Sequence, residues 1–225
     1  MPSRSKPVRF GVLLGALIAL LLGIPLGKEQ GSIEAAVMKV TVTAVLLTGV
    51  VSLSRRRRLA LLIAAPAVGL IWLPNLIPGD PSVLVLAHLV AAGYHGYFCV
   101  VVLKHIFAQK QVSPNVVSGA LCLYLLLGIF WCYVYGLIGL TDHQAFIIQG
   151  ERGLLMMDAS STRTTVQTVY FSFVTLFTLG YGDIVPHSDV ARMCAVVEAL
   201  LGQVIMVVLI AMLVGKQIAQ SSKPD

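Results

Sequence analysis

Six long, largely apolar runs leave this chain little choice of surroundings. They cover residues 8–26, 35–53, 59–77, 82–103, 116–140 and 190–218. Each is long enough to cross a bilayer core, which takes about 20 helical residues. Lipid offers no partner to open backbone groups, so every run is predicted as a helix. Charge is correspondingly scarce. Only 12% of residues are charged, against about a quarter in an ordinary soluble domain. No stretch between the runs is long enough to fold by itself. The expected fold class is all-α integral membrane, with six transmembrane helices and the lipid bilayer as partner.

The net charge of +6 reads as a topology signal, with no nucleic-acid partner expected. Arg4, Lys6, Arg9, Arg55, Arg56, Arg57, Arg58, Lys104, Lys110, Lys216 and Lys223 all fall on one side of the spans. Lys28, Arg152, Arg163 and Arg192 fall on the other, together with most acidic residues. The basic-rich side is cytoplasmic. This predicts a multi-pass protein of the cell membrane with both termini inside. The first run is longer than the apolar core of a secretory signal and lacks a clear small-residue cleavage site, so it is read as a retained anchor.

The most informative segment lies in the long connection between the fifth and sixth runs. Thr178-Leu179-Gly180-Tyr181-Gly182-Asp183 follows an amphipathic stretch, 165–177, and precedes the last apolar helix. This string resembles the selectivity filter of tetrameric potassium channels. The resemblance is specific from 165 to 215 and looser over the fifth run. It implies a two-helix pore domain of prokaryotic type, preceded here by four additional helices. The predicted division is therefore 1–111 for the N-terminal membrane region and 112–225 for the pore domain.

What the resemblance implies has a physical basis. A dehydrated potassium ion needs a cage of oxygens, and backbone carbonyls supply one if they all face a single axis. An ordinary strand alternates its carbonyls, so some residues must enter backbone regions closed to side chains. Gly180 and Gly182 permit this. Carbonyls of Thr178, Leu179, Gly180 and Tyr181, with the Thr178 hydroxyl, would bind K+ as the permeant ion. No other cofactor is expected. Tyr170 and Phe171 occupy the positions of an aromatic cuff that supports the filter. Leu179 replaces a more usual valine. Val174 stands where some relatives carry a glutamate that pairs with the filter aspartate, so the role of Asp183 is open. Four copies would form the pore, most simply as a homotetramer.

Gly202 lies in mid-span where relatives have a gating hinge; close packing against the pore helix is the equal alternative. Met206 and Ile210 share a helical face that the resemblance turns toward a water cavity. Glu198 is ionisable within a span. It is read as hydrogen-bonding glue behind the filter, with a titrating role as the alternative.

The fourth run carries no arginine ladder, so weak or absent voltage dependence is expected. His88 and His95, seven residues apart, lie roughly on one face. They are read as polar contacts between spans ahead of a proton-sensing or metal pair. The four cysteines, Cys99, Cys122, Cys132 and Cys194, fall within apolar runs and read as small hydrophobes. No nucleophile elbow, phosphate loop or metal-ligand cluster appears, so an enzyme is not expected. The alternatives to a conducting channel are a silent regulatory subunit and, further off, a cation transporter. The gating stimulus, including any unidentified regulatory partner, is not written in the sequence.

Overall fold

The computed structural model describes residues 10–23, 69, 80–109, 111–148, 151–153 and 162–221. The runs 35–53 and 59–77, apart from Gly69, lie outside the described residues, as do Lys39 and Arg55 to Arg58.

Five helices are described: α1 Phe10–Gly23, α2 Pro81–Ala108, α3 Pro114–Thr141, α4 Thr162–Leu176 and α5 Asp189–Ser221. Three of them, α2, α3 and α5, are long and apolar enough to cross a membrane. The described part of the first run, α1, has 14 residues, about 21 Å of helix, against a hydrocarbon core of about 30 Å.

The helix starts follow simple capping chemistry. Asp80 caps α2 by accepting from the Ser82 amide at 2.8 Å. Ser113 caps α3, its hydroxyl lying 3.4 Å from the Val116 amide. Proline follows each cap at the first helical position, where its missing N–H costs nothing. The connection between α2 and α3 is short, and the boundary expected at 111/112 lies in it.

Helix α3 is the centre of the described molecule. It is buried along most of its length and packs against α1, α2, α4 and α5. The α1 start is tied to it by the Phe10 amide donating to Asn115 Oδ1 at 2.9 Å. The seam with α2 is filled by aromatic rings, with His95 and Tyr133 at 5.0 Å between centroids.

The helical expectation misses one element. Strands β1 Phe146–Ile148, β2 Glu151–Gly153 and β3 Ile184–Pro186 form a small antiparallel sheet in the order β2-β1-β3. Ile147 faces Arg152 on one side and Val185 on the other. The sheet therefore joins the connection after α3 to the segment just before α5.

Candidate functional site

Helix α4 ends in a Schellman-type pattern of bonds, with Thr178 in the left-handed position after the helix. The Phe177 amide reaches Phe173 O, that of Thr178 reaches Thr175 O, and that of Leu179 reaches Val174 O, each at 2.9 Å. The Tyr124 hydroxyl from α3 donates to Leu176 O at 3.0 Å. This satisfies a terminal carbonyl that the helix itself leaves free.

Beyond this end the backbone changes hand at every residue. Thr178, Gly180 and Gly182 have φ of 57°, 60° and 81°, while Leu179 and Tyr181 between them do not enter the left-handed region. In a strand of uniform hand, neighbouring carbonyls point opposite ways. Alternating hand lets consecutive carbonyls face one side. The two glycines adopt positive φ without a Cβ penalty. Thr178 is β-branched, and among the described residues it alone combines a side chain with positive φ. Such a conformation costs on the order of 1–3 kcal/mol and persists only when its surroundings hold it. Sequence reasoning named Thr178 for its carbonyl and hydroxyl but did not foresee its positive φ.

The side chains of this turn lie bare on the single chain. Leu179 is 54% exposed and Tyr181 66%. The Tyr181 ring stacks on Tyr170 at 6.3 Å with 11° between planes. The Tyr170 hydroxyl in turn hydrogen-bonds the Asp183 carboxylate. Tyr170 thus supplies the partner that Val174 cannot. Phe171 parts company with Tyr170. It is buried, with its ring 4.9 Å from Tyr135 and 5.3 Å from Phe146, so it packs toward α3 and β1.

The outer flank of the turn is pinned by the sheet. His187 donates its amide to Ala145 O at 2.7 Å, extending the β1–β3 pairing. Phe146 is fully buried and seats β1 between Tyr135 and Phe171. No residue pattern in 144–157 announced this anchoring.

Behind the turn lies a buried polar cluster. Glu198 of α5 is wholly inaccessible. Tyr135 of α3 donates to its Oε2, and Ser172 Oγ of α4 lies 2.7 Å from its Oε1. Ser172 Oγ also lies 2.9 Å from Gly128 O. One carboxyl group therefore links three helices. The partners Tyr135 and Ser172 could not be chosen from the sequence, because they come from 63 and 26 residues away.

Gly202 packs directly on the end of α4. A Cβ there would meet Leu176 Cδ1 at 2.8 Å and Leu176 O at 2.9 Å. The close-packing reading of this glycine has a visible cause. Met206 and Ile210 do not share one environment. Met206 is half-buried against the core, whereas Ile210 is 53% exposed.

His88 and His95 sit apart from the turn, on the α2–α3 seam. Each bonds a carbonyl four residues back through Nδ1, at 2.8 Å to Leu84 O and 2.7 Å to Ala91 O. Both rings meet Tyr133. Among the described residues no group of three or more His, Cys, Asp or Glu side chains is placed to hold a metal.

Residues 119–217 match a family model described as Ion channel. That segment is ion-channel-like. It spans α3, α4, the alternating turn and nearly all of α5. A rice protein (Oryza sativa subsp. japonica), Two pore potassium channel a, is 28% identical over 108 residues, which is 48% of this chain and 26% of the relative. The chain thus spans about a quarter of that relative's length. No solved structure matches significantly. With three membrane-capable helices, the protein is a membrane protein with a segment similar to ion channels.

Proposed function

We propose that four copies of this chain surround a potassium-selective pore and conduct K+ passively across the cell membrane. The observation that carries this reading is the alternating backbone hand at Thr178, Gly180 and Gly182. It supports a row of carbonyl oxygens with the Thr178 hydroxyl at its inner end, the donor set a dehydrated potassium ion needs. In this reading α4 enters the membrane from outside as a re-entrant pore helix, and its carboxy-terminal carbonyls face the ion.

One chain offers one wall of such a cage. Closure requires a ring of identical contacts. The bare apolar surface fits that requirement. Leu179 and Tyr181 are exposed, and so are Val196, Leu200, Val207 and Val214 along α5. Neighbouring copies and lipid would cover them. The whole subunit has six spans with both termini in the cytoplasm. The absence of arginine from 82–103 predicts a shallow conductance–voltage relation.

The test is potassium flux into liposomes holding the purified protein, with sodium as competitor and Gly180→Asp as control. Strong potassium preference, lost in Gly180→Asp, is the expected result. A well-folded assembly that passes sodium and potassium equally would overturn the selectivity, and one that passes neither under any stimulus would leave a silent regulatory subunit.

A further inference from the structure

We infer that Gln203 is a positioning residue for the innermost cation site, acting through the Thr178 hydroxyl. This rests on the channel reading above and adds to it a residue that fixes one layer of the cage.

The first observation is a contact. Gln203 Nε2 of α5 lies 3.5 Å from Thr178 Oγ1, in donor geometry. The second is strain. Thr178 is the described side chain held at positive φ, and a β-branched residue there needs external support. Its backbone is held by the bond from its amide to Thr175 O. Gln203 Nε2 stands against its side chain.

The third observation is placement. Gly202 has no Cβ to keep α5 away from Leu176 O. This close approach sets the next residue, Gln203, beside the start of the turn. The fourth is composition. Between Glu198 and Lys216, Gln203 is the one side chain in α5 that carries a hydrogen-bonding group. A polar group in a span is costly unless it is paired or faces water. Gln203 is exposed on the single chain, so it meets the space beneath the turn and the threonine together.

The chemistry follows from the hydroxyl's inventory. Thr178 Oγ1 has one proton and two lone pairs. An amide N–H from Gln203 occupies one lone pair and steers the hydroxyl proton away from it. The proton and the second lone pair share the two remaining positions, and a cation at the site draws that lone pair toward itself. Without Gln203 the proton has all three positions open to it, and the four oxygens of that layer are less restricted in direction.

Barium is the probe, because a divalent ion close to potassium in size reads the same oxygen cage with twice the charge. Potassium currents are recorded in planar bilayers, with barium added on the side of the α5 carboxy terminus. Gln203→Met keeps the length of the side chain and removes its amide. We expect it to weaken barium block at least tenfold while potassium preference over sodium is kept. In a Thr178→Ala background, which lacks the hydroxyl, Gln203→Met adds no further loss. Gln203→Asn keeps the amide but falls short of Thr178, and is expected to behave like Gln203→Met should that variant fail to assemble. Unchanged block in both variants overturns the inference, as does an equal loss with and without the hydroxyl. A wild-type protein that conducts no potassium overturns the channel reading itself, a result separable from these.

Discussion

Ser172 Oγ stands 2.7 Å from Glu198 Oε1 while also standing 2.9 Å from the Gly128 carbonyl. A serine hydroxyl has one proton to give, and a carbonyl and a carboxylate can only accept. A proton on Glu198 Oε1, donated to Ser172 Oγ, lets Ser172 serve Gly128 and completes every bond. Tyr135 then donates to Oε2. The cluster is satisfied as a neutral unit, the form that a site wholly out of water favours.

Glutamine reproduces that pattern, with an amide N–H toward Ser172 and an oxygen toward Tyr135. Glu198→Gln is therefore expected to melt within about 1 kcal/mol of wild type, near the usual scale of a single retained hydrogen bond. Glu198→Leu leaves the buried Tyr135 hydroxyl without its acceptor while Ser172 keeps Gly128 O, and should lose about 1–3 kcal/mol, the cost of one unsatisfied buried group. Thermal unfolding of the purified assembly reads both. A Gln variant as unstable as the Leu variant would show that the carboxylate charge itself is needed.

Gly202→Ala places a methyl group 2.9 Å from Leu176 O. Backbone must move to admit it, and overpacking of this kind costs about 1–3 kcal/mol. A lowered melting temperature is expected, together with altered flux, since Leu176 ends the helix that carries the turn. Alanine tolerated without change in either would mean that α5 sits farther from α4 than described.

Lys216 donates from Nζ to Phe107 O at 3.3 Å and to Gln109 O. A cation here satisfies carbonyls at the carboxy-terminal end of α2. Lys216→Met should free α5 from α2 at this end and cost about 1 kcal/mol. The fraction of time spent conducting should shift too, which single-channel recording measures. Arginine at this position should retain most of the wild-type behaviour, because it keeps the charge and the donors.

Tyr170→Phe keeps the ring that stacks on Tyr181 and removes the hydroxyl that meets Asp183. Conduction should remain potassium-selective but decay faster during sustained flux, as the outer end of the turn loses a tether. Current decay in symmetric potassium is the measurement. An unchanged time course would assign Asp183 no holding role through Tyr170.

Much of this molecule was legible because its signals are local. Asp80-Pro81 and Ser113-Pro114 announce helix starts, and apolar length announces the long helices. Gly180 and Gly182 announce backbone that side chains resist. Contacts across the fold were not legible. Nothing in the residues near Glu198 points to Tyr135, and nothing near Val174 shows that Tyr170 reaches Asp183. The positive φ of Thr178 opposes its intrinsic preference, so propensity reads it wrongly where the site needs it most. The strands β1 and β2 are three residues each, too short for periodicity to register. Gln203 did leave a trace, as a lone amide in an apolar helix.

The pairing of Ile147 with Val185 makes the outer connection a mechanical handle. A molecule that grips Ile147 and Ile148 pulls on the strand that begins two residues past Gly182. It must either break that ladder or carry Ile184 to Pro186 along with it. Traction on the surface is thereby delivered to the end of the turn through the β1–β3 ladder, beside the seat of Phe146 on Tyr135 and Phe171.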